Sequence, residues 1–325
     1  MRILIRLPNW LGDMVMSVAF VKEVKRQFPD STISVIVKKG LHPLLQFFPP
    51  IQQSFVFSKD EYKGLAGLFR FGMMIRKQQH PDLFFCLPDS FSSALMGWAT
   101  GAQQRVGYKN ELRQILLTQS FIKNKILHRV EQYLNLLYQF TGQVPASPEV
   151  LLQENKFSST GTIIVNFNSE ASSRQLPLSK AVSLLKELRS STDKKIVLAG
   201  GPSDRKFVDA IFSSCSLTAG ISNLAGKTTL PELIHLMQEA SAVLSTDSGP
   251  AHLANALLVP TVVLFGAGNE RHTAPYNKSL CSVIRLGQLP CEPCVNNVCK
   301  LYGSPRCLEL LDETMIVQKL LSVMR

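Results

Sequence analysis

The chain alternates short apolar runs with longer segments whose apolar residues recur every three or four positions. Residues 2–7 (RILIRL), 32–38 (TISVIVK), 54–58 (SFVFS) and 82–87 (DLFFCL) predict short buried β-strands. Between the first two, Val15, Val18, Ala19, Val21, Val24 and Phe28 share one face of a helix over 13–28. Strand, helix, strand in that order predicts a parallel sheet. Residues 128–141 (HRVEQYLNLLYQFT) predict a helix stopped by Gly142.

The periodicity then lapses. Residues 142–161 (GQVPASPEVLLQENKFSSTG) are rich in Pro, Ser and Gly and read as a linker. A second alternation follows, with strands expected at 161–167, 194–200, 241–247 and 261–266 and helices at 178–190, 204–214, 230–240 and 250–258. The expected fold is α/β: two doubly wound, Rossmann-like domains, 1–155 and 156–325. In such folds ligands bind outside the carboxyl ends of strands, often in a cleft between domains.

Composition narrows the class. Of 325 residues, 45% are hydrophobic, enough for two cores, yet no uncharged apolar run reaches eighteen residues. The opening MRILIRLPNWLGD carries Arg6, Pro8 and Asp13 where an export signal needs an apolar stretch, so a cytoplasmic chain is expected. The net charge is +11, and residues 1–150 carry most of it, with 18 Lys and Arg against 10 Asp and Glu. Such an excess draws an anionic partner: a nucleic acid, an acidic membrane surface or a phosphorylated substrate. No nucleic-acid-binding module and no basic stretch interleaved with aromatics occurs, so nucleic acid is not expected. Three of the seven cysteines are scattered. The other four, Cys291, Cys294, Cys299 and Cys307, form C-x2-C-x4-C-x7-C, a spacing open to a structural zinc ion, an iron–sulfur cluster or free thiols.

The densest chemistry lies in STDSGPAHLANALLVPTVVLFG, residues 245–266. Asp247 falls at a strand end, Ser248 and Gly249 make a turn, and Pro250 suits the first position of a helix. A helix start beside a strand end offers backbone N–H groups to an anion, and glycine permits close approach. His252 lies in the first helical turn. A capped helix with a buried histidine satisfies the same pattern. Asp13, at the first helix start, reads first as a cap, a reading compatible with a catalytic carboxylate. No G-x-G-x-x-G follows a strand, which argues against a dinucleotide-dependent dehydrogenase.

TDSGPAHLANALLVPTVVLFG (246–266) resembles the signature of glycosyltransferase family 9, the ADP-heptose:lipopolysaccharide heptosyltransferases. IRLPNWLGDMVMSVAFVKEVKRQFP (5–29) resembles the opening of that family, and LPDSFSSALMGWATGAQQRVGY (87–108) resembles a third block. The blocks keep the family's order, and the look is closest to the second heptosyltransferase. The resemblance implies a GT-B architecture, with the acceptor held mainly by the N-terminal domain and the nucleotide-sugar by the C-terminal one. It makes Asp13 the base for the attacking hydroxyl. It places Arg174, Asp204, Asp247, Ser248, Gly249 and His252 around the ADP-heptose donor.

The segment NFNSEASSRQLP (166–177) departs from the family's pattern. Arg174 stands for a phosphate-binding lysine, Leu176 for a tryptophan, and Asn168, Ser169 and Glu170 for P-G-A. These departures keep open another nucleotide-sugar or another saccharide acceptor. The implied acceptor is the lipid-linked inner core of lipopolysaccharide, with Arg105 and Arg113 among the cations that would meet it. The resemblance further implies an inverting reaction with no metal or other cofactor. It places the enzyme in the cytoplasm, in peripheral contact with the inner face of the cytoplasmic membrane. Residues 60–79 (DEYKGLAGLFRFGMMIRKQQ) could touch lipid or form a core-facing amphipathic helix.

Overall fold

The structure is a computed structural model that describes residues 1–152, 160–216 and 218–324, with the side chain of Glu111 excepted. The chain divides into two compact units, Met1–Gln153 and Glu154–Arg325. The expected boundary at 155/156, and residues 153–159 of the expected linker, lie outside the described residues.

Unit 1 is built on six parallel strands: β1 (Arg2–Arg6), β2 (Thr32–Lys38), β3 (Gln53–Phe57), β4 (Leu83–Cys86), β5 (Gln104–Tyr108) and β6 (Gln119–Phe121). Their order across the sheet is β3-β2-β1-β4-β5-β6. Unit 2 carries β7 (Thr162–Asn166), β8 (Ile196–Leu198), β9 (Ile221–Asn223), β10 (Ala240–Thr246), β11 (Thr261–Phe265) and β12 (Cys281–Arg285), again all parallel, in the order β12-β11-β10-β7-β8-β9. Each sheet is therefore the doubly wound one expected. Central strands such as β4 (LFFC) are buried along their whole length, which is why they read as unbroken apolar runs rather than as alternations. Five strands (β5, β6, β8, β9 and β12) are short or partly polar; of these only β8 falls within an expected strand.

The strand order reverses between β1 and β4 in unit 1 and between β7 and β10 in unit 2. Neighbouring connections leave these strand ends in opposite directions, opening a crevice at each carboxyl end. Asp13 follows β1, Asp89 follows β4, Asn168 follows β7 and Asp247 follows β10. Both switch points are thus furnished with polar side chains.

The helix expected over 13–28 is two helices, Leu11–Met16 and Val18–Gln27. Ser17 separates them; its hydroxyl donates to the Met14 carbonyl at 2.7 Å, a local bond that competes with the helical ladder. The helix Arg129–Thr141 begins on a capping box made by His128 and Glu131 and ends at Gly142, whose left-handed φ of 73° lets its N–H reach the Tyr138 carbonyl. Among the described residues, the helices Phe91–Ala99 and Glu313–Val323 and the short turns Glu270–Thr273 and Arg306–Glu309 fall where the sequence shows no periodic apolar face. No helix among the described residues is long and apolar enough to cross a membrane.

Candidate active site

In unit 2, polar groups replace apolar ones as β7 and β10 run out. Asn166, the last residue of β7, donates to Ser248 Oγ at 3.0 Å, and Asn168 donates to the Ala199 carbonyl at 2.8 Å and to Asn166 Oδ1 at 3.1 Å. Thr246 donates to the Asn168 carbonyl at 2.7 Å. This buried web ties the ends of β7, β8 and β10 together. Gly200 makes it possible, since a Cβ there would stand 2.5 Å from Asn168 Nδ2.

Asp247 is 4% exposed, and Arg174 Nε lies 3.6 Å from its Oδ2. The sequence separation of the two is large; the switch point brings them together. The Arg174 loop is itself held from the other side. The Ser173 N–H donates to the Asn297 carbonyl, the Ser173 hydroxyl to the Asn296 carbonyl, and the Val295 N–H to the Ala267 carbonyl at 2.8 Å. Ser248 occupies the N-cap of the helix Gly249–Ala256, but its hydroxyl caps no helical N–H; it bonds inside the web instead. Pro250 has no N–H and that of Ala251 meets the Ser248 carbonyl, so the Gly249 N–H is the candidate anion donor. His252 is buried in the first turn. Asp204 borders this web, since the same Cβ at Gly200 would stand 3.0 Å from Asp204 Cβ, and it accepts the Gly201 N–H at 2.8 Å, tightening the turn after β8.

In unit 1, Asp13 lies in the first turn of the helix Leu11–Met16. Arg129 Nε lies 3.3 Å from its Oδ1, and the buried Tyr133 hydroxyl hydrogen-bonds the same carboxylate. Burial, reinforced by the negative charge of Asp13, pushes the Tyr133 phenol well above its ordinary range, so it stays a neutral donor. Burial works against the Arg129 charge, yet the negative charge of Asp13, with that of Asp89, holds its pKa raised. Beside this trio, Asp89 meets Lys123 and lies 3.7 Å from Arg113 Nη1.

A family model described as glycosyltransferase family 9 (heptosyltransferase) matches residues 68–303. The chain belongs to that family. Lipopolysaccharide heptosyltransferase 2 of Escherichia coli K12 is 28% identical over 310 residues, 88% of either chain. Lipooligosaccharide heptosyltransferase 2 of Haemophilus ducreyi is 29% identical over 314 residues, covering 88% of this chain and 89% of that one. The solved structure of the E. coli ADP-heptose lipopolysaccharide heptosyltransferase II superposes with a TM-score of 0.81 at 26% identity, over 99% of this chain and 98% of that one. The fold is thus the GT-B arrangement of two doubly wound domains, and the chain is a glycosyltransferase.

Within this family 9 enzyme Arg105 and Arg113, expected to meet the acceptor, hold backbone. Arg105 donates to the Leu116 and Ala102 carbonyls at 2.8 and 2.6 Å. Arg113 is fully enclosed and donates to the Pro88 carbonyl at 2.6 Å. Gly107 makes room for it, since a Cβ there would stand 2.5 Å from Arg113 Nη2. The four clustered cysteines line one small cavity together with Ser173, behind the Arg174 loop. Among the described residues no three His, Cys, Asp or Glu side chains are arranged to hold a metal ion. Burial, with Glu292 and the neighbouring Cys294 and Cys291, pushes the Cys307 thiol up to about 11.

Sequence reading passed over Asn166, Asn168, Asp89, Lys123, Arg129 and Tyr133 as site residues. For the asparagines a signal existed: amides at the end of an otherwise apolar strand. For the others none did, because their partners are remote in sequence.

Proposed function

We propose that this enzyme transfers heptose from ADP-heptose to the lipid-linked inner core of lipopolysaccharide, with inversion at the anomeric carbon. The observation that carries the reading is a carboxylate at the switch point of each sheet, Asp13 and Asp247, in a family 9 chain. The named substrates of the heptosyltransferase 2 relatives supply the substrate class.

Asp13 takes the proton of the acceptor hydroxyl as its oxygen attacks the anomeric carbon. The bond from that carbon to the diphosphate breaks on the opposite face, and ADP departs with the electron pair. Arg174 and the Gly249 N–H meet the diphosphate charge. Asp247 receives the hydroxyls of the donor sugar, Ser248 and His252 line its pocket, and Asp204 receives the ribose hydroxyls. Arg105 and Arg113 act on the acceptor through the backbone they hold. No step calls for a metal.

Peripheral contact with the inner face of the cytoplasmic membrane completes the proposal. The helix Gly64–Gln78 buries Leu68, Phe71 and Ile75 but exposes Leu65 and Phe69, with the Phe69 ring 5.7 Å from that of half-exposed Trp98. Exposed Lys63, Arg70, Arg76 and Lys77 lie on or beside the same helix, a mixture suited to an anionic interface.

The test is acceptor-dependent ADP release from ADP-heptose by wild type and Asp13→Asn. Release reduced about a hundredfold or more in the variant supports the donor and the base. Turnover with a different nucleotide-sugar alone would retain the family and discard the heptose.

A further inference from the structure

Asp13 is faced from one side by a cation and a hydroxyl on a single helix. Arg129 and Tyr133 are four residues apart, one turn of Arg129–Thr141, and so share a face. The Arg129 Nε to Asp13 Oδ1 distance is 3.3 Å, and the Tyr133 hydroxyl bonds the same carboxylate. Tyr133 is 5% exposed, so its hydroxyl has been taken out of water to make this contact. A buried phenol aimed at a half-exposed carboxylate adds little to packing that phenylalanine would not supply.

The helix carrying these groups is fixed in turn. His128 and Glu131 cap it, and the Tyr108 hydroxyl at the end of β5 donates to the Gln132 carbonyl. Lys123 lies over the Tyr108 ring, 5.2 Å from its centroid, and pairs with Asp89. Asp89 also pairs with Arg113, which holds the Pro88 carbonyl. The charged and titratable groups around Asp13 are therefore Arg129 and Tyr133 in contact, with Asp89, Lys123 and Arg113 next to them. They join the strand ends of β4 and β5 to the helix that faces Asp13.

A carboxylate is a weak base for a hydroxyl even at its ordinary pKa. Such a group gains more from orientation than from basicity. We propose that Arg129 and Tyr133 are positioning residues for the Asp13 base, holding its carboxylate aimed at the acceptor hydroxyl. This rests on Asp13 being the base, as proposed above. Tyr133 remains protonated throughout; the proton of the acceptor goes to Asp13, not to Tyr133.

The experiment compares wild type with Tyr133→Phe, Arg129→Lys, Arg129→Met and Asp13→Asn. The readouts are kcat, both KM values, the pH profile of kcat/KM, and ADP binding by calorimetry. Tyr133→Phe is expected to lower kcat about ten- to a hundredfold with ADP affinity within about twofold of wild type. Its acid limb is expected to move to higher pH, because a hydrogen bond to the charged carboxylate has gone. Arg129→Lys is expected to recover part of what Arg129→Met loses, because it restores the charge without the fork. An unchanged kcat and acid limb in Tyr133→Phe and Arg129→Lys would overturn the positioning role even if Asp13→Asn were inactive. Wild-type activity in Asp13→Asn would instead remove the base, and the proposal with it. Should Arg129→Met fail to fold, the other two variants decide.

Discussion

Gly268 lies directly against Asp247: a methyl group at position 268 would overlap Oδ2 and stand 3.0 Å from Cγ. Neither side can yield freely. The loop is pinned by Arg285, which donates to the Gly266 and Gly268 carbonyls and pairs with Glu270 and Glu292. Asp247 is enclosed and faces Arg174. Gly268→Ala is therefore expected to displace Asp247 and raise the donor KM about tenfold or more, with an overpacking cost of about 1–3 kcal/mol. Gly40, where a Cβ meets nothing within 4 Å, supplies the control: Gly40→Ala should leave both the donor KM and Tm in place.

Arg174 and Asp247 are expected to act as a coupled pair in donor binding. Arg174→Ala should raise the donor KM, and Arg174→Lys should restore part of it, since lysine returns the charge as a point and not as a fork. The double variant with Asp247→Asn should lose less than the two single losses added, by about 0.5–3 kcal/mol, the range for residues in direct contact. Strict additivity in the double-mutant cycle would make the 3.6 Å approach incidental to binding.

Legibility in the sequence followed the range of the interaction. Central strands such as β1, β4 and β10 announce themselves because both faces are buried at their centres and the central runs, ILI, LFFC and AVL, are apolar. QRVGY of β5, QSF of β6 and ISN of β9 do not, being short and partly polar; pairing with a neighbour, not composition, makes them strands. FSSALMGWA forms a helix through small residues packed close: a Cβ at Gly72 on the facing helix would stand 2.5 Å from the Ala99 Cβ. That contact leaves no periodic apolar signature. Within the site, Asp13, Asp247 and Ser248 stand in local patterns that a reader can find. The approach of Arg129 to Asp13, or of Lys123 to Asp89, exists only once the sheet order is known.

The exposed Leu65, Phe69 and Trp98 predict binding to anionic vesicles. Sedimentation with phosphatidylglycerol-containing vesicles should exceed that with neutral vesicles and fall as salt rises past about 0.15 M, where the Debye length is about 8 Å. Phe69→Ser with Trp98→Ser should weaken it at all salt concentrations, since apolar contact is not screened. Both rings are at least two-fifths exposed, so Tm should change little. Equal sedimentation of the double variant would place the lipid contact elsewhere.

Acid should loosen the C-terminal helix of unit 2 through one pair. Lys180, buried on the helix Leu178–Ser191, lies 2.9 Å from Glu313 Oε1 and donates as well to the Leu311 carbonyl. Glu313 opens the helix Glu313–Val323 that packs on Leu178–Ser191. Burial alone would raise the Glu313 carboxyl; hydrogen bonds from Lys180, its own backbone and Ser183, with the Lys180 charge, outweigh it and bring the pKa below its ordinary 4.5. A depressed folded pKa means the unfolded chain binds the proton more readily. The stabilisation is therefore complete above about pH 4.5 and is lost as pH falls through the folded value. Glu313→Gln should accordingly lower Tm at about pH 7 by a few degrees, as for a loss of about 1 kcal/mol in a domain of this size, and by progressively less as acid protonates Glu313 in the folded chain. Thermal melts of the two proteins across that range check the sign directly: a gap that widened toward acid would mean the carboxyl is stabilised in its protonated form and that the Lys180 contact is not what holds the helix.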